Sequence, residues 1–315
     1  MTLFPRFWSR PELPREIPIT ARLFTVAPES QLLGYCHWQP DPKRRPTLIF
    51  VHGLEGDSGS HYMLGIAQKA WRRGFNVVRL NQRNCGDTEH LSAGLFHSGL
   101  TADAAHVVHE LTVVDGLPAI AVSGYSLGGN LALKLAGEYG AHPPKTLVAV
   151  AAVSPIVEIG ECTRALERRE NLLYQWNFVK DLKRRMRRKE QHQPGRFDLS
   201  ALDSVKTVRG FDDTYTAPHF GFRGAEDYYY RASAMRVIDR IRVPALIITS
   251  EDDPFVPSQP FHDAKITGNA HIDLRLSAHG GHCGFVGARS AADDGYWAEN
   301  EIVEFVTRNL RPDRG

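Results

Sequence analysis

Cysteine is scarce and scattered in this chain. Its 315 residues include four, Cys36, Cys85, Cys162 and Cys283, with no C-x-x-C pair among them. That spacing disfavours a zinc site or a disulfide-stapled scaffold and points to a reducing compartment, so a cytoplasmic protein is expected. No apolar run approaches the roughly eighteen residues that a membrane-spanning helix requires. The opening Met1-Thr-Leu-Phe-Pro-Arg-Phe-Trp8 lacks the apolar centre of a signal peptide. The net charge is only +2, which gives no global electrostatic case for nucleic acid. Internal repeats and low-complexity tracts are absent from the sequence, and no cofactor or metal is implied.

What is present is a chain 42% hydrophobic, able to bury a large core. An open α/β sheet of this length commonly forms one domain, so residues 1–315 are read as a single unit. Residues 22–26 and 32–38 read as an opening hairpin joined through Pro28. From there short, nearly continuous apolar runs alternate with helical spacings. The runs are Thr47-Leu-Ile-Phe-Val51, Asn76-Val-Val-Arg-Leu80, residues 119–123, residues 146–153, residues 244–249 and residues 271–276. Strands buried on both faces of a parallel sheet look like this. The last helix is placed at residues 296–310. The fold class expected is a doubly wound, mostly parallel α/β sheet with its site at the carboxyl ends of the strands.

Gly124-Tyr-Ser-Leu-Gly128 falls between a strand and a helix. A G-x-S-x-G in that context is a nucleophile elbow, in which a sharp, strained turn exposes the serine, here Ser126. Glycines two positions either side spare the turn a collision. A base and an acid should follow in the order Ser, acid, His. After the strand at 244–249 comes Ser250-Glu-Asp-Asp-Pro254, and Asp253, stiffened by Pro254, is the preferred acid. Asp252 remains its competitor. The strand at 271–276 leads into Ser277-Ala-His-Gly-Gly-His-Cys-Gly-Phe285, where His282 is the preferred base and His279 the alternative. The turn after the strand at 47–51, His52-Gly-Leu-Glu-Gly56, is placed to supply one oxyanion donor from the Leu54 N–H. The Leu127 N–H, directly after the serine, would supply the other. His52 is read as a brace for that loop, and Cys283 as a small packing residue.

Taken together these segments resemble the α/β-hydrolase superfamily and, within it, the YheT-like branch. The resemblance is carried by residues 52–56, Leu80-Asn-Gln-Arg-Asn-Cys-Gly86, Phe96-His-Ser-Gly99, Gly124 to Asn130, Phe211-Asp-Asp213, Tyr228-Tyr229, Asp252-Asp-Pro-Phe255 and Gly280-Gly-His282. It spans about residues 50 to 286 in the family's order. One departure is Asn84, where the family usually has glycine; asparagine tolerates a left-handed backbone less well. The resemblance implies a serine hydrolase acting on carboxylic esters of short to medium chains or of lipids. An acyltransferase using the same residues, and a ligand-binding protein that keeps the fold without catalysis, are the other readings.

Over residues 156–235 the alternation stops, and in this fold an insertion there, between the sixth and seventh strands, is usually a helical lid. Leu172, Trp176, Val179, Leu182 and Met186 give one apolar stripe on a helix. Lys180, Lys183, Arg184, Arg185, Arg187, Arg188 and Lys189 are assigned to the opposite face. The preferred reading packs the stripe on the body and leaves the basic face in solvent; the sharper one has that face meet an anionic membrane surface. The segments 211–215 and 228–230 are read as contacts between lid and body. A small-molecule ester is the expected partner, and the oligomeric state is left open.

Overall fold

The computed structural model of the protein describes residues 13–14, 16–290 and 294–310. The stretch over residues 1–8 considered above as a leader lies outside them. Eight strands form one sheet: β1 (Thr20–Ala27), β2 (Ser30–His37), β3 (Thr47–Val51), β4 (Asn76–Leu80), β5 (Ile120–Tyr125), β6 (Leu147–Val153), β7 (Ala245–Ser250) and β8 (Ile272–Ser277). Their spatial order is β1-β2-β4-β3-β5-β6-β7-β8. β2 runs antiparallel to β1 and to β4, and every pair from β4 to β8 is parallel.

The helices explain why the central strands read as unbroken apolar runs. α1 (His61–Arg72) and α10 (Trp297–Asn309) cover one face; α2 (Thr101–Val113) and α3 (Leu127–Tyr139) cover the other. Met63, Ile66, Ile302 and Val306 pack against Leu48, Phe50 and Ala149 on the first face. Val107, Leu111, Leu131 and Leu135 pack against Ile49, Val122 and Val150 on the second. β3, β5 and β7 are consequently buried at every position, whereas the edge strand β8 is half-buried throughout.

Between β6 and β7 lie α4 (Ile159–Leu166), α5 (Leu172–His192), α6 (Val208–Phe211), a π-helical turn (Asp212–Thr216), α7 (Ala217–His219) and α8 (Ala225–Ala232). α9 (Ala264–Thr267) follows β7. Val179, Leu182 and Met186 of α5 are buried in a cluster with Leu166, Val208, Phe211 and Phe255. The rest of the expected stripe is not: Leu172 is 50% exposed and Trp176 60%. The inward side of the first turns of α5 is instead formed by the buried Gln175 and by Tyr174 and Phe178, which pack against the same cluster through Phe255.

The basic face also departs from expectation, because Arg185 and Lys189 are buried. Arg185 pairs with Glu55, and Lys189 donates to the Asn84 side-chain oxygen and to the Glu89 and Ser92 carbonyls. Side chains spaced like 182, 185, 186 and 189 share one helix face, and these two cations lie inward because polar partners meet them there. The outer cations are largely paired: Arg184 with Asp181, Arg187 with Asp203, Arg188 with Asp87 and Glu89. Of the tyrosines, Tyr228 donates to Ser98 Oγ at 2.8 Å and so joins the inserted segment to the body. Tyr229 bonds Asp212 inside the segment, and Tyr230 is exposed rather than a contact. Among the described residues no helix is long and apolar enough to cross a membrane.

β5 and α3 pass so close to the end of β3 that a methyl group on Gly128 would lie 2.3 Å from the Val51 carbonyl oxygen and 2.6 Å from that of His52. Backbone cannot move aside as a side chain can. Gly128→Ala should therefore cost about 3 kcal/mol or more of stability. Denaturant unfolding checks this, and a midpoint equal to that of the unsubstituted protein would contradict the packing.

Candidate active site

The chain leaves β5 and enters α3 through one residue, Ser126, with φ 53° and ψ −113°. Such a backbone is strained for a residue with a side chain and costs on the order of 1–3 kcal/mol. Hydrogen bonds on both sides hold it: Ser126 N–H donates to the Val153 carbonyl at 2.8 Å, and Asn130 N–H donates to the Ser126 carbonyl at 3.0 Å. The turn closes only because its flanks lack side chains. A Cβ on Gly124 would sit 2.0 Å from the Gly128 carbonyl oxygen.

His282 Nε2 lies 3.0 Å from Ser126 Oγ, and His282 Nδ1 lies 2.8 Å from Asp253 Oδ2. The ring also meets Phe255 edge to face at 4.9 Å between centroids. Asp253 has no freedom to turn away. Its Oδ1 accepts the N–H groups of Phe255 and Val256 at 2.9 and 3.0 Å, in a turn that fixes the carboxylate as the sequence had led one to expect of Pro254. Burial disfavours the charged imidazole and is the largest single influence, but the Asp253 carboxylate and the Cys283 side chain together outweigh it and hold His282 well above its ordinary value.

Asp252 has a different task, which the sequence did not disclose. Its Oδ1 accepts the N–H groups of Gly280 and Gly281 at 2.8 and 2.7 Å, tying the loop after β7 to the loop that presents His282. His279 is largely exposed and lies 3.5 Å from Asp252 Oδ2. Cys283 has φ 61° and its N–H donates to Ser154 Oγ at 3.1 Å, so the residue helps shape the loop.

Across the serine, the β3–α1 loop brings Leu54 to the same space. His52 is wholly buried; with Nδ1–H donating to the Gly53 carbonyl at 2.8 Å, its Nε2 accepts the Gln82 N–H at 3.1 Å. Burial pushes its pKa down to about 4, which keeps it neutral and suited to bracing. Gly53 N–H donates to the Tyr62 hydroxyl at 2.9 Å. Leu127 is the first residue of α3, where helix N–H groups lack intrahelical acceptors.

Two spaces meet at Ser126. An inner cavity of about 100 Å³ is lined mainly by apolar side chains, among them Leu54, Phe96, Ile156, Phe178 and Phe211. Asp212, its carboxyl raised by burial to about 6, and Tyr228 add polar groups to that wall. An outer cleft of about 410 Å³ is bordered by Tyr62, Leu173, Tyr174 and Trp176. Ser126, His282, Leu54, Phe178 and Phe255 line both. All four cysteines are free thiols. Among the described residues no group of His, Cys, Asp and Glu has the arrangement of a metal site.

The sequence profile described as alpha/beta hydrolase fold matches residues 46–287, and the chain belongs to that family. Within it the chain lies in the YheT-like branch. It is 32% identical to YheT of Escherichia coli over 278 residues, covering 87% of this chain and 81% of that protein. It is 31% identical to the phospholipase ABHD3 of mouse, over 78% of this chain and 60% of that protein. Among solved structures, the esterase Pf2001 of Pyrococcus furiosus superposes with a TM-score of 0.64 at 15% identity, over 96% of this chain and 97% of that one, a likeness of fold.

The pairing of His282 with Asp253 has a direct consequence for titration. Followed by NMR, His282 should titrate above the ordinary imidazole value of about 6.5 and move down in Asp253→Asn. A histidine resonance unmoved by that substitution would contradict the pairing.

Proposed function

We propose that the protein is a cofactor-independent serine hydrolase of carboxylic esters. The observation that carries this reading is the linked set Ser126–His282–Asp253 at 3.0 and 2.8 Å, set at the junction of an apolar cavity and an open cleft. The esterase and phospholipase names of its relatives support it. In this reading His282 Nε2 takes the proton of Ser126 as Oγ attacks the ester carbonyl. Asp253 holds the Nδ1–H tautomer and stabilises the imidazolium. The N–H groups of Leu54 and Leu127 hold the oxyanion. His282 then gives its proton to the leaving alcohol, and water repeats the sequence on the acyl-enzyme to release the acid.

The inner cavity receives a short to medium acyl chain, and the outer cleft receives the alcohol portion. The helical segment over residues 156–235 serves as the lid over Ser126. Acyl transfer to an alcohol would use the same residues, and product analysis with added alcohol separates it from hydrolysis. A ligand-binding role without catalysis would leave the three-residue linkage without a use.

Ser126→Ala should lower ester turnover by several orders of magnitude with little effect on folding. Retention of more than about a tenth of the activity would remove Ser126 from the mechanism. Asp253→Asn should cost roughly 10³–10⁴ in turnover, and Asp252→Asn much less, because only the first faces the imidazole. Reversed effects would overturn the acid assignment.

Turnover should also depend on pH in a defined sense. Protonated His282 cannot accept the serine proton, and its raised pKa extends the protonated form upward. The chemistry-limited rate should therefore rise with pH through a midpoint above about 6.5. A profile flat from about pH 5 to 9 would argue against a histidine base.

For lipid esters, the exposed Leu173 and Trp176 border the outer cleft and Leu172 is exposed on the same turn, a better surface for lipid than the paired arginines of α5. Co-sedimentation with vesicles should then be similar for neutral and anionic lipid and insensitive to salt. Replacing Leu172 and Trp176 by serine should weaken it. Full recovery of the native protein in the supernatant with every vesicle would end the membrane reading.

A further inference from the structure

Residues 53–56 form a β-turn closed by Gly56 N–H donating to the Gly53 carbonyl at 3.1 Å. Glu55, the third residue of that turn, has φ 54°. Glycine or asparagine is favoured at such a position, and a glutamate there is strained. A turn that needed only its shape would carry glycine. The Glu55 side chain is buried against Arg185 of α5, the two side chains being 10% and 8% exposed.

The supports of this loop come from opposite sides. Its start is braced by the body through His52, Gln82 and Tyr62. Its tip is tied through Glu55 to the inserted segment between β6 and β7. Arg185 is itself fixed in place. It sits between the buried Leu182 and Lys189 on α5, stacks 4.6 Å over the Phe96 ring and donates to Cys85 Sγ at 3.7 Å. Leu54, the residue preceding Glu55, lines the inner cavity together with Ser126 and with Arg185.

We propose that Arg185 is a positioning residue for the oxyanion loop: by holding Glu55 in its positive-φ turn, it sets the direction of the Leu54 N–H and links the seating of α5 to the chemical step. The inference rests on the serine-hydrolase reading, in which that N–H is one of two oxyanion donors. The negative charge it meets develops only in the transition state, so a mis-aimed donor lowers kcat and leaves substrate binding nearly intact. A pair that merely stabilised the fold would leave kcat of the folded protein unchanged.

The test compares native protein with Glu55→Gln, Arg185→Met and the double substitution. Arg185→Met alone strands a buried carboxylate and is expected to fold poorly. The double variant removes both charges and should melt within a few degrees of the native protein. On a small soluble ester the double variant should show kcat lowered about 10–100-fold, against the 10²–10³ typical of losing an oxyanion donor outright, with KM within about twofold. Labelling of Ser126 by a fluorophosphonate probe should slow in proportion while its final stoichiometry stays complete. A folded double variant with native kcat and labelling rate, alongside an inactive Ser126→Ala, would overturn this inference alone. An active Ser126→Ala would overturn the serine reading and this inference with it.

Discussion

The constraint on which the site depends is the passage of the chain through Ser126. Its backbone is held in a conformation that a side chain disfavours, by bonds to the end of β6 and from the first turn of α3. Strand order does the rest. β3, β5, β6, β7 and β8 lie side by side and parallel, so the loops that follow them emerge at one edge of the sheet. The Leu54 loop follows β3, Ser126 β5, Asp253 β7 and His282 β8. Groups from positions 54, 126, 253 and 282 thus converge although the sequence separates them widely, as expected at the carboxyl ends of a parallel sheet.

Two adjacent aspartates illustrate how the site divides positioning from chemistry. Asp252 holds the backbone of the histidine loop, and Asp253 holds the histidine ring. Either carboxylate could have served as partner on composition alone. What separates them is which side of the turn each faces, and the N–H groups of Phe255 and Val256 decide that by capturing one oxygen of Asp253. A carboxylate with one oxygen pinned presents the other in a fixed direction. A small loss of entropy in the loop thereby replaces the reorganisation that a free side chain would require to meet the imidazole.

The sheet, the elbow and the serine–histidine–aspartate set were legible because each leaves a local trace: continuous apolar runs, paired glycines at a turn, an acid and a histidine directly after strands. The inserted segment was legible only in part. Helical spacing identified α5 and placed Val179, Leu182 and Met186 correctly, but it assigned Arg185 and Lys189 outward on residue type. Their partners are Glu55, Asn84, Glu89 and Ser92, roughly a hundred positions away, and no periodicity in α5 reports them. Leu172 and Trp176 failed in the opposite sense: at the start of α5 the inward side is taken by Tyr174, Gln175 and Phe178, and apolar type alone did not separate them from Leu172 and Trp176. Asn84 shows a third kind of limit. It adopts φ 62°, in the left-handed region that favours glycine, and its side chain donates to the Gly94 carbonyl and accepts from Lys189. With asparagine at this place the backbone is left-handed and the side chain makes a polar contact to α5.

That contrast bears on which properties of such a protein are readable early. The turn that presents Ser126 is set by short-range stereochemistry, in which a turn either admits a Cβ or does not, so the sequence carries it openly. The inner cavity is walled instead by side chains from the inserted segment, including Ile159, Leu166, Phe178, Leu182 and Phe211, packed against Leu54 and Phe96 of the body. Its dimensions depend on how deeply α5 seats, and α5 is seated by buried cations as well as by apolar contacts. A buried cation that loses its partner is far more costly than a buried methylene that loses a neighbour. The polar ties therefore restrict α5 to few positions, where apolar packing alone would tolerate sliding. The dimensions of the inner cavity are accordingly a property of long-range charge pairing, and the arrangement of Ser126, Asp253 and His282 a property of local backbone geometry.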